Sequence, residues 1–160
     1  MGTIRAQGRA TVSNRNAIMT GDQRAHRVLV CGGRDLTDSA LVYRVLDRFH
    51  ADNIIEVLIE GGARGADRIA GYWARKHRID NLKFPADWKA HDNAAGPIRN
   101  QRMLKEGRPD VVIAFPGGHG TADMVTRAKA AGVPVIYVSN KPPQGRSLIT
   151  SSEGVPTTDG

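Results

Sequence analysis

The chain has 160 residues, of which 40% are apolar and 24% are charged, and its formal net charge at pH 7 is +7. This length supports one domain with a single core, and the composition is that of ordinary soluble globular proteins. No apolar run reaches the length of a transmembrane helix, so we expect no membrane partner.

The first 26 residues are predicted to form a flexible basic arm. They carry four arginines against one aspartate, are polar and show no sustained periodicity. They lack the apolar core of a secretion signal, so we expect a cytoplasmic protein, with Met1 or Met19 as its first residue. The single cysteine, Cys31, excludes an internal disulfide and is expected to be a small buried thiol. The remaining charge leaves a mildly basic domain, which suits nucleotides and nucleic acid alike.

Residues 27–139 alternate short apolar runs with helical patterns. The run RVLVCGG at 27–33 predicts a strand, and the next segment predicts a helix that Asp38 caps and that carries one apolar stripe. IIEVLIEGG at 54–62, followed by GADRIAGYWARKH, repeats this order of strand and helix. A weaker strand is predicted at 82–84.

The second half continues the alternation. A polar loop at 87–97 precedes a predicted helix at 98–105, and DVVIAF at 110–115 predicts a strand. The following segment predicts a helix that Thr121 caps, and VPVIYVS predicts a last strand. Residues 140–160 are rich in Pro, Gly, Ser and Thr and are expected to form a flexible C-terminal tail.

Strands that are apolar throughout and alternate with helices favour a parallel sheet covered by helices on both faces. The predicted fold class is therefore α/β, as a single Rossmann-like domain. In such sheets ligands bind beyond the carboxyl ends of the strands, near the point where the strand order reverses. Three loops follow strands at that edge and are expected to face one crevice: 32–35, 61–65 and 116–121.

The glycines of these loops indicate an anion site. Gly117, Gly118 and Gly120 stand between a strand and a helix, where glycine permits positive φ or the close approach of a ligand. The free N–H groups of the loop and of the first helical turn would bind a phosphate, although turn geometry alone can also require glycines. Neither G-x-G-x-x-G nor G-x-x-x-x-G-K-[ST] occurs, which disfavours an NAD dehydrogenase and a P-loop NTPase.

Four blocks in order carry a family resemblance: CGGRDLTD, EGGARGAD, FPADWKAHDNAAGPIRNQRML and PDVVIAFPGGHGT. They resemble the SLOG superfamily, and in particular its small YspA-type (cpYpsA-related) branch. The superfamily includes the LONELY GUY-type phosphoribohydrolases and DNA-processing protein A. The resemblance covers residues 27–139 and implies a Rossmann-like nucleotide-binding domain that assembles as a homodimer or a higher homo-oligomer.

The phosphoribohydrolases pair an arginine with a glutamate, and this chain matches only the arginine. By resemblance Arg99 in GPIRNQRML is that arginine, and Met103 matches the usual methionine. Met124 stands at the glutamate position and cannot exchange a proton. Glu60, expected to look into the crevice, and Asp123 are the candidates to replace it. The structural alternatives are a hydrogen bond to a loop for Glu60 and a helix-dipole contact for Asp123.

Other side chains of the loops are candidates for binding the ligand. Arg34 and Asp35 either contact its ribose or phosphate or pair with each other. Arg64 and Asp67 stand where a helix starts, and an acid there is often only a dipole partner. Trp88 either stacks on a base or plugs the space beneath its loop. The predicted ligand-binding residues are Gly32, Gly33, Arg34, Asp35, Gly61, Gly62, Arg64, Asp67, Trp88, Arg99, Pro116, Gly117, Gly118, His119, Gly120 and Thr121.

Three functions are compatible with these features. His91 and His119 have no cysteine or carboxylate at ligand spacing, so we predict neither a metal nor a cofactor. The leading hypothesis is a sensor, carrier or sequestering protein that binds a nucleotide or nucleotide-derived ligand. The alternative is an N-glycosidic phosphoribohydrolase acting on a nucleoside monophosphate. The third is single-stranded DNA binding, which an aromatic content of 5% disfavours.

Overall fold

The computed structural model describes residues 24–140 and 149–151. Residues 1–23 of the predicted arm and most of the predicted tail lie outside the described residues. The elements in chain order are β1 (His26–Cys31), α1 (Ser39–Asp52), β2 (Ile55–Glu60), α2 (Ala66–Lys76), β3 (Asp80–Lys83), α3 (Trp88–His91), a 3₁₀ turn (Asp92–Ala94), α4 (Ala95–Gly107), β4 (Val111–Ala114), α5 (His119–Ala130), β5 (Val135–Val138) and β6 (Ile149–Ser151).

The strands form one sheet in the order β3-β2-β1-β4-β5-β6. The first five are mutually parallel, and β6 pairs antiparallel with β5. The predicted Rossmann-like α/β fold is therefore confirmed, with one antiparallel strand added at an edge. Ile149–Ser151 belongs to the segment predicted as a flexible tail, and this part of the prediction needs correction because β5 offers unpaired backbone groups that a returning segment can bind.

Helices cover both faces of the sheet because successive strand residues point to opposite sides. Val28 and Val30 of β1 pack into a core with α1 and α2, whereas Leu29 packs on the other side with α4 and α5. Trp73 of α2, predicted for the core, is fully buried in the cluster that α1 and α2 form with the sheet. Within the described residues no helix has the length and apolar character needed to cross a membrane.

The helix starts show where local prediction succeeded and failed. Asp38 caps α1 as predicted, because its Oδ1 accepts the Leu41 N–H at 3.0 Å. The prediction that Thr121 caps the last helix is wrong. α5 begins at His119, and the Ala122 N–H donates to the Gly118 carbonyl at 3.0 Å. Thr121 thus lies inside the first turn.

Candidate ligand-binding site

A cavity of about 830 Å³ lies at the carboxyl edge of the sheet. It is lined by the loops that follow β1, β2 and β4, so the three loops do face one crevice, as predicted. β1 and β4 are neighbours although they are not consecutive, and the chain continues outward from this pair in both directions. The cavity therefore occupies the topological switch point, where Rossmann-like folds bind ligands.

Every residue predicted to bind the ligand lines this cavity, from Gly32 to Thr121. The structure also places at the cavity residues that the sequence did not single out for binding, and they include Arg68, Asn100 and Met103. Asn100 follows Arg99 directly and is buried, but nothing in the sequence distinguishes it from the other polar residues of its helix.

The loops after β1 and β4 touch through their backbones. The Gly33 N–H donates to the Pro116 carbonyl at 2.8 Å. A Cβ at Gly117 would lie 2.7 Å from the Gly33 nitrogen, and one at Gly32 would lie 2.6 Å from the Ala66 Cβ. These glycines are therefore required by packing between the loops, independently of any ligand.

A third packed glycine, Gly65, joins α2 to the same loop. Gly65 has φ +80°, and a Cβ on it would overlap the Gly33 carbonyl oxygen. That oxygen accepts the Ala66 N–H at 3.1 Å, where α2 begins. The close approach fixes the start of α2 against the β1 loop.

The amides of the second loop are bound internally. Asp67 Oδ2 accepts the N–H groups of Gly61 and Ala63 at 3.1 and 3.2 Å, and Glu60 Oε1 accepts that of Gly62 at 2.6 Å. These three amides are therefore not available to an anion. Asp67 lines the cavity but acts as a brace for the loop.

Burial raises the pKa values of both Asp67 and Glu60. Burial, and to a smaller extent the charge of nearby Glu60, raises the pKa of Asp67 to about 6, against the opposing effects of the Ala63 amide and Arg99. The pKa of Glu60 is also raised by burial, against the Gly62 amide and Asn81. The Glu60 side chain is 1% exposed and does not line the cavity, so the expectation that it looks into the crevice is wrong.

Arg99 lies in the first half of α4 and is half-buried at the cavity. Its Nη1 donates to the Gly61 carbonyl at 2.5 Å, and its Nε donates to Asn100 Oδ1 at 3.0 Å. The guanidinium therefore lies across the second loop, held by two hydrogen bonds. This placement supports the prediction of Arg99 as a pocket residue over that of an exposed surface charge.

Asp123 points away from the cavity. Its Oδ2 accepts the Asn100 Nδ2 at 2.9 Å and the Arg127 Nε at 2.8 Å, and it is not among the lining residues. Met124, at the family's glutamate position, is buried in the core beneath α4 and α5. Neither residue therefore places a carboxylate in the cavity.

The third loop differs from the other two because its glycines face open space. A Cβ at Gly118 or Gly120 would meet no protein atom within 4 Å, although both residues line the cavity. The His119, Gly120 and Thr121 N–H groups precede the first helical hydrogen bond of α5, which Ala122 donates. Such amides, with the helix dipole, provide donors for an anion.

Charged side chains and Trp88 also line the cavity. Asp35 pairs with Arg64 at 3.2 Å, so the alternative that Asp35 and Arg34 pair with each other is wrong. The Asp35 side chain is 93% exposed, and such a pair adds little stability. Trp88 is 50% exposed, which excludes the alternative of a buried plug. The charged residues that line the cavity are Arg34, Arg64, Arg68, Arg99, Asp35 and Asp67.

Neither metal chemistry nor a reactive thiol emerges from the described part of the chain. Within it no group of three or more His, Cys, Asp or Glu side chains could hold a metal ion. Burial raises the pKa of the Cys31 thiol, as does the charge of Asp67. Cys31 therefore stays protonated, in line with a small buried thiol.

Comparison with known proteins identifies the family. The chain matches the YspA, cpYpsA-related SLOG family over residues 26–91. It is 40% identical over 124 residues to the Gene 61 protein of Mycobacterium phage D29, across 72% of this chain and 98% of that protein. The chain belongs to the YspA, cpYpsA-related SLOG family.

A solved structure outside this branch shares the fold. DNA processing protein A from Streptococcus pneumoniae superposes with a TM-score of 0.60 at 18% identity, over 76% of this chain. The chain spans 53% of that protein's length. At this identity the similarity shows the fold alone, and it supports the Rossmann-like architecture of this SLOG protein.

Proposed function

We propose that this SLOG protein binds a nucleotide or nucleotide-derived ligand in the cavity, as a sensor, carrier or sequestering protein. The observation that carries the proposal is the contrast among the loop glycines. Packing against protein atoms requires Gly32, Gly65 and Gly117, whereas nothing in the protein fills the space beside Gly118 and Gly120. A bound phosphate explains why that space is open, because its oxygens approach such amides closely.

The remaining lining residues fit the rest of a nucleotide. Arg99 can complement a phosphate, and the exposed Arg34, Arg64 and Arg68 add positive charge at the rim. The exposed face of Trp88 offers a surface on which a base can stack. A volume of about 830 Å³ also lies in the range of small-molecule sites.

Isothermal titration calorimetry with a ligand panel tests this proposal. The panel contains nucleoside monophosphates, ADP-ribose, cyclic nucleotides and the unphosphorylated nucleosides. Arg99→Ala is expected to lower the affinity for phosphorylated ligands by about tenfold or more, because a charge-assisted hydrogen bond is lost. Arg102→Ala is the matched control, since Arg102 lies on the same helix, pairs with Glu106 and does not line the cavity. No binding by the wild type, or equal binding by Arg99→Ala, would contradict the proposal.

The geometry favours binding over hydrolysis of an N-glycosidic bond. Glu60 and Asp123 do not line the cavity, and the lining carboxylates within the described residues belong to Asp35 and Asp67. Asp67 holds two loop amides, and Asp35 pairs with Arg64. We therefore expect no base release from nucleoside monophosphates. Release that is lost in Glu60→Gln or Asp123→Asn would establish the hydrolase instead.

Single-stranded DNA is a second candidate ligand. It is supported by the exposed Trp88 next to rim arginines, and by the shared fold of a DNA processing protein. DNA affinity that falls steeply with salt, survives removal of residues 1–26 and drops in Trp88→Ala would favour it. Affinity that disappears with residues 1–26 would assign DNA binding to that segment.

The assembly and location of the protein remain proposals from family resemblance. We propose a cytoplasmic homodimer or higher homo-oligomer. Light scattering coupled to size-exclusion chromatography tests the assembly, and a monomer mass at working concentration would contradict it.

A further inference from the structure

We infer that Asn100 is a positioning residue that holds the Arg99 guanidinium and the first turn of α5 in one geometry, so that both contact the same anion. The inference rests on the proposed function. Asn100 lies on α4, between the second loop and the third loop of the cavity. It is the one residue whose side chain hydrogen-bonds to both halves of the proposed phosphate site among the described residues.

The hydrogen bonds of Asn100 run in two directions. Its Oδ1 accepts from Arg99 Nε at 3.0 Å. Its Nδ2 donates to the Gly120 carbonyl at 3.2 Å and to Asp123 Oδ2 at 2.9 Å. The amide thus connects Arg99 to the turn whose N–H groups face the cavity.

The partners leave only one orientation for the amide. Arg99 Nε is a donor, and the Gly120 carbonyl and the Asp123 carboxylate are acceptors. A flipped Asn100 amide would set donor against donor and acceptor against two acceptors, so the network itself determines the orientation. Both hydrogens of the amide and its oxygen are used, as a side chain only 5% exposed requires.

This arrangement fixes a flexible cation before a ligand arrives. Arginine has five N–H donors, and Arg99 spends one on Gly61 and one on Asn100. With Nε and Nη1 both held, Arg99 loses less conformational freedom on binding, which strengthens affinity. The bond to the Gly120 carbonyl holds the α5 amides in register with that guanidinium.

The test is a double-mutant cycle measured by calorimetry with adenosine monophosphate and with adenosine. The variants are Asn100→Leu, Arg99→Ala and the two combined. Gln101→Leu is the matched control, because this neighbouring amide bonds Arg127 of α5 but neither Arg99 nor the first turn. Circular dichroism monitors folding, and Asn100→Ser, which leaves room for water at the Gly120 carbonyl, replaces the leucine variant if that one does not fold.

We expect Asn100→Leu to lower the affinity for adenosine monophosphate by about tenfold. Gln101→Leu should change this affinity by less than about twofold. The double variant should bind about as Arg99→Ala does, because Asn100 acts through Arg99 and no further loss remains. Adenosine affinity should be unchanged, which a merely structural role would not predict. Additive losses, equal weakening of both ligands or unchanged affinity in Asn100→Leu would overturn the inference while the proposed function stands. If the wild-type protein binds none of the phosphorylated ligands, both the proposed function and this inference are contradicted.

Discussion

Gly120→Ala is expected to stabilise the protein and to lower its affinity for the proposed ligand. Gly120 is the second residue of α5, has no positive φ, and a Cβ there would meet no protein atom within 4 Å. Alanine fits such a site without strain and reduces the freedom of the unfolded chain, a gain of about 0.4–1 kcal/mol. For a domain of this size the melting temperature should rise by about 1–4 °C.

The same methyl group would occupy the space that we assign to the phosphate. A group that keeps the anion from the first-turn amides removes charge-assisted hydrogen bonds, so affinity should fall by about tenfold or more. Scanning calorimetry measures the stability, and titration calorimetry with the phosphorylated panel measures the affinity.

Gly96→Ala is a closely matched control for this experiment. Gly96 is the second residue of α4, as Gly120 is of α5, and it does not line the cavity. Its Cβ would lie 3.6 Å from Trp88 Cη2, an ordinary contact. Gly96→Ala should therefore leave affinity nearly unchanged, and because Pro97 follows it within the helix, its gain in stability should be smaller than that of Gly120→Ala. If Gly120→Ala binds as tightly as the wild type, the open space is not the phosphate site, and if it destabilises the fold, the space is not open.

Two further predictions follow from the packed loops and from the braced acid. Gly117→Ala should cost about 1–3 kcal/mol, because its Cβ would lie 2.7 Å from the Gly33 nitrogen and 2.9 Å from the Gly32 carbonyl carbon; an unchanged melting temperature would contradict this. Burial raises the pKa of Asp67 from 3.8 to about 6. Its contribution to stability is therefore full below pH 3.8 and is lost as the pH rises through about 6. In urea titrations from about pH 4 to 7, Asp67→Asn should gain about 3 kcal/mol relative to the wild type, and a constant difference would refute the shift.

The fold and the floor of the site were predictable from local patterns. Apolar runs closed by glycine mark strands that end at one edge of a parallel sheet, and chain topology then brings their loops together. Thus Gly33, Gly61 and Gly117 were placed in one crevice without knowledge of any contact between them. The family resemblance added Arg99, which the pattern of charges on its helix did not distinguish from Arg102.

The direction of individual side chains was not predictable, because distant partners decide it. Glu60 ends a strand that reaches the crevice, yet the Gly62 amide draws its carboxylate away. Asp123 bonds Asn100 of α4 and Arg127 of its own helix, and it does not line the cavity. Asn100 itself resembled any polar residue of a surface helix, since its three bonding partners come from its neighbour and from another helix.

The distribution of free and occupied amides explains why the third loop is better suited to an anion than the second loop. Asp67 and Glu60 already supply negative charge to the second loop, so a phosphate placed there would meet two carboxyl groups. Arg99 lies between that loop and Asn100, which bonds the first turn of α5, and its charge offsets Asp67. Met124 is buried where the phosphoribohydrolases carry a glutamate, so this position places no carboxylate at the cavity. Under the proposed function, the residues on this side of the cavity bind an anion without exchanging a proton with it, which is the chemistry of a binding site.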